Sequence, residues 1–297
     1  MSKENKEVII LLAAYNGEQY VKEQLDSIVN QDYTYFRVLM SDDGSSDRTV
    51  RILKDYALKD DRFIFLNSNR KGGVVGNFCY LLREVSNYSN VIYMFSDQDD
   101  YWLPDKISQS LSFFEEHSKN LPTVLYTNLK VVDKKLNVIN EDFYRYTKVD
   151  PNRNSNKMNI KWVSSVYGCT VMFNKSLLDI MLDFPRSITM HDHWAAVCAV
   201  KYGQLIFLDR PTLLYRQHDN NQVGAIRNGI FGKLKQVKSL IARMRKYKSS
   251  VISMNVTDVS TMKARIKCAR EIAVLNGVST PYKLVLAFFV LFDKEDK

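Results

Sequence analysis

Apolar residues near the start of the chain come in short continuous runs separated by longer stretches with a helical period. Val8–Ala14, Phe36–Met40, Phe63–Leu66 and Val91–Phe95 have the look of buried strands. Between them, Val21, Leu25, Ile28 and Val29 within Glu18–Val29, and Val50, Leu53 and Ala57 within Asp47–Leu58, fall on one side of a helix. Ser45 or Ser46 stands where the second helix needs a cap, and a third helix is predicted around Gly76–Val85. Strand and helix in alternation predict an α/β fold, a mostly parallel sheet with helices on both faces. Downstream the alternation loosens. Thr123–Val132 and Ser165–Phe173 read as strands, Ser176–Leu182 and Trp194–Tyr202 as helices, and Leu205–Tyr215 as a strand and return. Asp150–Lys157 reads as a polar, mobile loop.

Past Val223 the pattern changes. Ile230, Leu234, Val237, Ile241, Met244 and Tyr247 recur at helical spacing among Lys233, Lys235, Lys238, Arg243, Arg245, Lys246 and Lys248, and Val223–Thr257 contains no acid. This is a basic amphipathic helix. A second helix is predicted over Asp258–Leu275, and Leu284–Phe292 is strongly apolar but too short to span a bilayer. The chain therefore divides into residues 1–224 and a helical C-terminal extension, 225–297.

Charge sharpens that division. The 297 residues carry 42 Lys+Arg and 33 Asp+Glu, a net charge of +9. Residues 1–222 hold 27 basic and 28 acidic side chains, residues 223–297 hold 15 and 5, so the whole excess is C-terminal. With 45% hydrophobic and 25% charged residues the composition excludes a disordered, collagen-like or multi-span membrane chain. Cys79, Cys169, Cys198 and Cys268 lie far apart with no C-x-x-C pair, which argues against a zinc ribbon or disulfide framework and for buried thiols in a reducing compartment. The mixed-charge start and the Asn16-Gly17-Glu18 that follows the first apolar run do not resemble a signal peptide, so a cytoplasmic protein is expected.

Sheets of this kind bind ligands beyond the carboxyl ends of their strands. There the sequence places Tyr15-Asn16-Gly17-Glu18, Asp42-Asp43-Gly44-Ser45-Ser46-Asp47 and Asp97-Gln98-Asp99-Asp100. Clustered carboxylates are costly without a cation between them, so Asp97 and Asp99 invite Mg²⁺ or Mn²⁺; the alternative is that one of them caps the helix starting near Pro104-Asp105. Asp42 stands either in a simple turn or where it accepts a hydrogen bond from a pyrimidine imide, with Tyr15 stacked on the same base. Asn69, Gly72, Gly73, Gly76 and Asn77 form a glycine-rich loop that suits a ribose or diphosphate, although no G-x-G-x-x-G or P-loop fingerprint is present, which counts against nicotinamide and P-loop chemistry.

His191-Asp192-His193-Trp194 has three readings: a zinc pair, a helix cap, or a general base, Asp192, next to a binding groove, with the flanking residues shaping its environment. The last is preferred, because an oxygen-ligated metal elsewhere leaves zinc without a task. His218 either is an ordinary surface histidine or, together with Arg216, faces a diphosphate, Arg216 as a bidentate cation and His218 as a metal ligand or donor.

Together, V-I-I-L-L-A-A-Y-N-G-E, L-M-S-D-D-G-S-S-D-R-T, F-S-D-Q-D-D-Y-W-L-P-D-K-I, M-H-D-H-W and L-L-Y-R-Q-H-D-N-N-Q-V-G resemble the family 2 inverting glycosyltransferases of GT-A fold, from about Glu7 to Gly224. The last two are most similar to the bacterial rhamnosyltransferase-like branch that builds cell-surface polysaccharide. The resemblance implies a GT-A-type, Rossmann-like central sheet. It implies that Ala14, Tyr15, Asn16, Glu18 and Asp42 hold the base and ribose of a nucleotide-sugar, with Asn77, Asp97 and Arg216 also on the donor. Asp97 and Asp99 are then the D-x-D pair, His218 completes the metal site, and Asp192 is the catalytic base. Gly168 and Cys169 approach the acceptor, alongside His191, His193 and Trp194; His191 replaces the acid more common in the family at that position.

The activity implied is metal-dependent transfer of a sugar, foremost L-rhamnose from dTDP-rhamnose, otherwise a sugar from a dTDP or UDP donor, to a hydroxyl of a growing polysaccharide or of a saccharide on an undecaprenyl-type lipid. The basic C-terminal helices then either lie on the inner face of the cell membrane or pack on the catalytic unit or in a homodimer. Nucleic acid is not an expected partner. The rivals are a sugar-1-phosphate nucleotidyltransferase, which would need a basic glycine-rich loop after the first strand, and a nonenzymatic saccharide- or lipid-binding scaffold.

Overall fold

The computed structural model describes residues 6–67, 69–155, 157–185, 187–217, 248–254, 260–275 and 280–292. The expected alternation is present as β1 (Glu7–Ala14), α1 (Val21–Val29), β2 (Phe36–Asp42), α2 (Thr49–Lys59), β3 (Phe63–Asn67), α3 (Val74–Glu84) and β4 (Val91–Ser96). The described strands make one nine-stranded sheet. β3, β2, β1 and β4 lie side by side in that order, all parallel. β1 and β4 are buried along nearly their whole length and carry continuous apolar runs, as strands covered on both faces do. β2 and β4 extend past their apolar runs to Asp42 and Ser96, both fully buried, so polar groups reach the rim while still inside the protein.

After β5 (Tyr101–Trp102) and α4 (Lys106–His117) the sheet becomes mixed. β6 (Thr123–Val132) carries the small strand β7 (Val138–Asn140) and runs parallel to the last long strand, β9 (Gln204–Arg216). Between them come α5 (Phe143–Thr147), α6 (Lys157–Trp162), β8 (Met172–Asn174), α7 (Lys175–Met181) and α8 (His191–Tyr202). β8 pairs antiparallel with both β4 and β6 and so joins the two halves of the sheet.

Several expectations change here. Ser165–Phe173 is not one strand: a 3₁₀ turn, Gly168–Thr170, interrupts it. The segment expected to be mobile forms a 3₁₀ turn at Pro151–Ser155, pinned where the Tyr126 and Ser165 hydroxyls donate to the Pro151 carbonyl at 2.6 and 2.8 Å. Neither Ser45 nor Ser46 caps α2; the Asp47 carboxylate accepts from the Thr49 N–H at 2.9 Å, and Ser45 is used in a loop contact. α4 starts after Asp105 with no side-chain cap, so neither Asp97 nor Asp99 serves it.

The basic helix expected over residues 230–247 and the boundary at 224/225 lie outside the described residues. Beyond them, α9 (Met262–Ala273) and α10 (Thr280–Phe292) form a pair of helices. Cys268, Ile272, Leu286, Phe289 and Val290 from this pair share a small core with Trp162 and Val163 of α6 and its exit. The C-terminal helices therefore pack on the first unit. Among the described residues no helix is long and apolar enough to cross a membrane, and all four cysteines are buried with no two joined in a disulfide.

Candidate active site

The strand order reverses direction at β1, which has β2 on one side and β4 on the other. The crevice in which sheets of this kind take ligands lies at such a reversal, beyond the carboxyl ends of the strands. Gln98 ties the two sides together: its Oε1 accepts from the Tyr15 N–H at 2.8 Å and its Nε2 donates to the Tyr15 carbonyl at 2.9 Å. A Cβ on Gly17 would sit 2.1 Å from the Gln98 Oε1, so the glycine admits this close approach. Sequence reasoning passed over Gln98, the middle residue of D-x-D, because an amide carries no catalytic signal. Gln98→Ala should loosen the Tyr15 loop and weaken nucleoside diphosphate binding about 3- to 10-fold, roughly 1 kcal/mol. Calorimetric titration checks it, and unchanged affinity would remove Gln98 from the site.

The residues expected to hold base and ribose are in the crevice wall, and most are tied to one another. Both oxygens of the buried Asp42 carboxylate are used by its own turn: Oδ1 accepts from the N–H groups of Gly44 and Ser45 at 3.0 and 2.8 Å, and Oδ2 from the Ser45 hydroxyl. Asn16, held in the left-handed region (φ 46°), accepts from the Ser46 N–H at 2.9 Å. Glu18 accepts from the N–H and Nε of Arg48 at 2.9 and 3.1 Å. Asn77, buried in the first turns of α3, donates to the carbonyls of Ala14 and Ser41 at 3.3 and 3.0 Å. These contacts zip the β1 and β2 loops into a rigid rim. Tyr15 is different, with 47% of its surface exposed beside that rim.

Opposite stands the acidic loop. One ligand atom from each of Asp97, Asp100 and Cys169 lies within 4.8 Å of the others. Desolvation, with Asp99 and Asp192 nearby, pushes the Asp97 carboxyl up to about 7. Burial and the same carboxylate crowding raise Asp100 well above the ordinary range. The carboxylate oxygens suit a hard divalent cation, whereas the Cys169 thiol, pushed well up by burial, keeps its proton. Asp100, not singled out from the sequence, thus belongs to the cluster. Asp99 lies on the same loop, and His218 is outside the described residues.

Asp192 faces this loop from the first turn of α8. Its Oδ2 accepts from the Gly168 N–H at 2.9 Å and its Oδ1 from the His193 N–H at 2.6 Å. Burial nevertheless dominates and lifts its carboxyl to about 6. A carboxylate with that affinity for protons, anchored by two N–H groups, is equipped to take a proton near neutral pH.

Four other expected side chains are placed differently. α8 starts at His191, three residues earlier than expected, and is buried along most of its length. His191 therefore points into the core, stacked on Phe78 at 3.7 Å and edge-on to Phe95, and burial pushes its imidazole down to about 3. It is a neutral packing group. The His193 ring bonds the Ile160 carbonyl at 2.7 Å and the Trp194 indole donates to the Met181 carbonyl at 2.9 Å, so the acceptor contacts expected of these three have no exposed surface to act through. A zinc pair is equally unsupported, because the two imidazoles are used in separate core contacts.

Arg216, 1% exposed, donates to the carbonyls of Asp99 and Lys134 at 3.0 and 2.7 Å and to the Glu23 carboxylate, with the Tyr20 ring 4.5 Å away. Instead of facing a diphosphate, its guanidinium fastens the acidic loop to α1 and the end of β9. Gly168 and Cys169, expected near the acceptor, form the turn against Asp192; a Cβ on Gly168 would lie 2.9 Å from the His191 Nε2.

Comparison with known proteins bears on the family and the fold. The family model described as glycosyl transferase family 2 matches residues 9–180. The chain is 30% identical over 253 residues to the dTDP-rhamnosyl transferase RfbG of Shigella flexneri, an alignment covering 81% of this chain and 82% of that protein. Among solved structures it is similar to S. aureus TarS in complex with UDP-GlcNAc, with a TM-score of 0.54 at 16% identity, covering 95% of this chain and 72% of the other. The mannosyltransferase PcManGT of Pyrobaculum calidifontis, in complex with GDP-Man and Mn²⁺, gives a TM-score of 0.57 at 15% identity over 99% and 89% of the two chains. At these identities the structural likeness establishes the fold alone.

Proposed function

The chain belongs to glycosyl transferase family 2, an inverting family acting on nucleotide-sugars, and from that premise we propose that it transfers L-rhamnose from dTDP-rhamnose to a hydroxyl of a growing cell-surface saccharide. The observation that carries the reading is the placement of an acidic loop and a raised-pKa carboxylate, Asp192, in one another's electrostatic field at the carboxyl edge of the sheet. The choice of donor rests on the likeness to the Shigella enzyme.

Asp192 takes the proton of the acceptor hydroxyl as that oxygen attacks the anomeric carbon from the face opposite the diphosphate. Gly168 and His193 keep its carboxylate aimed through their N–H groups. A single displacement inverts the anomeric centre. The rigid rim of Asn16, Glu18, Asp42 and Asn77 fixes the nucleotide end, with Tyr15 as the stacking surface for the base. Asp97 and Asp99, with Asp100 beside them, would hold Mg²⁺ or Mn²⁺, which supplies positive charge for the departing diphosphate. Mn²⁺ accompanies the sugar nucleotide in the Pyrobaculum neighbour.

Incubation with Mn²⁺, dTDP-rhamnose and a saccharide acceptor tests this. Release of dTDP with a rhamnosylated product is expected, whereas turnover of UDP-sugars alone would keep the reaction and replace the donor. Formation of dTTP and rhamnose-1-phosphate when pyrophosphate is added to dTDP-rhamnose would instead indicate nucleotidyl transfer.

The acceptor is proposed to be lipid-linked, with the C-terminal helices, packed through one face on Trp162 and Val163, bringing the enzyme to the inner face of the membrane through another. α10 presents Leu284, Phe288 and Phe292, 66, 57 and 62% exposed, along one stripe, and α9 adds the exposed cations Lys263, Lys267 and Arg270. Each cation gains about 1 kcal/mol near an anionic surface. Vesicles containing phosphatidylglycerol should therefore co-sediment the protein in a salt-sensitive manner, and Leu284→Ser with Phe288→Ser should cut binding about tenfold or more. Equal binding by the double variant would remove this stripe as the membrane contact, and a change from dimer to monomer on substitution would assign it to a contact between copies.

A further inference from the structure

We propose that Lys106 is a positioning residue for the transfer reaction, fixing the Gly168–Thr170 turn so that the Gly168 N–H stays on the Asp192 carboxylate. The proposal rests on the reading of Asp192 as the base.

Lys106 opens α4 and is entirely buried. Burying an ammonium group costs several kcal/mol unless it is well partnered, and here a methionine of similar length would fill the space without that cost. The ammonium is instead partnered on three sides. It donates to the Cys169 carbonyl at 3.1 Å and to the Thr212 hydroxyl at 3.2 Å, and lies 4.8 Å from the centre of the Trp102 ring. Thr212 is itself held, its hydroxyl 2.7 Å from that of Thr127 and its carbonyl accepting from the Leu103 N–H at 3.0 Å. One side chain thus ties the start of α4, β9 and the turn.

The bond to Cys169 matters for chemistry because of its neighbour. Gly168, one residue away, donates to Asp192 at 2.9 Å. The amides of Thr170 and Val171 bond back within the turn, to Tyr167 and Gly168 at 2.9 and 3.0 Å; its far end is held on β4, where the Val171 carbonyl accepts from the Phe95 N–H at 3.3 Å, and Lys106 holds its middle at Cys169. His191 closes the other side, 2.9 Å from where a Gly168 Cβ would be. With Lys106 pulling on Cys169 and His191 behind Gly168, the N–H has one place to point. The same ammonium faces Asp100 and Cys169, which offers a competing role: counter-charge for the acidic loop. That role would act on donor binding, not on proton transfer.

Lys106→Met removes the donor with little change in volume, and Lys106→Gln retains an N–H for the Cys169 carbonyl. If the turn is what Lys106 serves, Lys106→Met lowers kcat about 10- to 100-fold, with the donor KM within about threefold, and Lys106→Gln recovers part of the loss. Unchanged kcat in Lys106→Met, alongside an inactive Asp192→Asn, overturns the proposal and leaves the base standing. A raised donor KM at constant kcat overturns it in favour of the counter-charge role. Activity in Asp192→Asn removes the base and the proposal with it. Should neither Lys106 variant unfold cooperatively on heating, Lys106 serves folding alone and the proposal is likewise overturned.

Discussion

Replacement of Asp192 by asparagine is expected to lower kcat about 100- to 10,000-fold while nucleoside diphosphate affinity stays within about twofold. The substitution keeps the shape of the side chain and one acceptor oxygen, while giving up one of the two N–H bonds now made from Gly168 at 2.9 Å and His193 at 2.6 Å. It removes the capacity to take a proton. The pH profile gives an independent check, with its sign fixed by the chemistry: the base works unprotonated, and burial places its pKa at about 6. kcat/KM for the native enzyme should therefore fall as pH drops through about 6, and the residual activity of the variant should lack that limb. Initial rates of nucleoside diphosphate release between about pH 5 and pH 8 measure both. Unaltered turnover would strip Asp192 of its role, whatever the geometry around it.

The sequence was most informative where a local pattern had a single structural solution. Continuous apolar runs such as Val8–Ala14 and Val91–Phe95 can be accommodated only where both faces are covered, so the parallel half of the sheet and its ligand-binding rim followed from the runs and the helical spacing between them. Polar loops at three strand ends then located the crevice. What stayed hidden were partnerships across long chain separations. Arg216 offered a cation at the end of a strand, but nothing near it revealed that the Asp99 carbonyl would be its partner. His191 and His193 looked like functional groups because a polar motif in isolation carries no sign of depth. α8 is buried on nearly every side and so lacks the one-faced apolar spacing that would have marked its imidazoles as inward. Gly168 broke an apparent strand for a reason visible only in three dimensions, the His191 ring lying against it.

Loss of the acidic loop's charge should have the other large effect. Asp99→Ala and Asp97→Asn are each expected to weaken Mn²⁺-dependent nucleoside diphosphate binding by more than about 100-fold. Substituting a residue that merely orients a metal ligand costs about 10- to 100-fold, so removing a ligand should cost more. Burial, with Asp99 and Asp192 adding to it, raises Asp97 to about 7, and burial with Asp99 and Asp97 raises Asp100 as well. Mutual repulsion of that kind is offset when a divalent ion sits between the oxygens. Calorimetric titration with and without MnCl₂ separates the metal-dependent part of binding from the rest. Asp105→Ala provides the control, since its carboxylate, a few residues on, pairs with Arg210 at 2.6 Å instead of joining the cluster. A full metal requirement retained in both loop variants would place the cation away from Asp97 and Asp99. The diphosphate would then have to leave from another part of the crevice, beyond reach of a hydroxyl activated by Asp192.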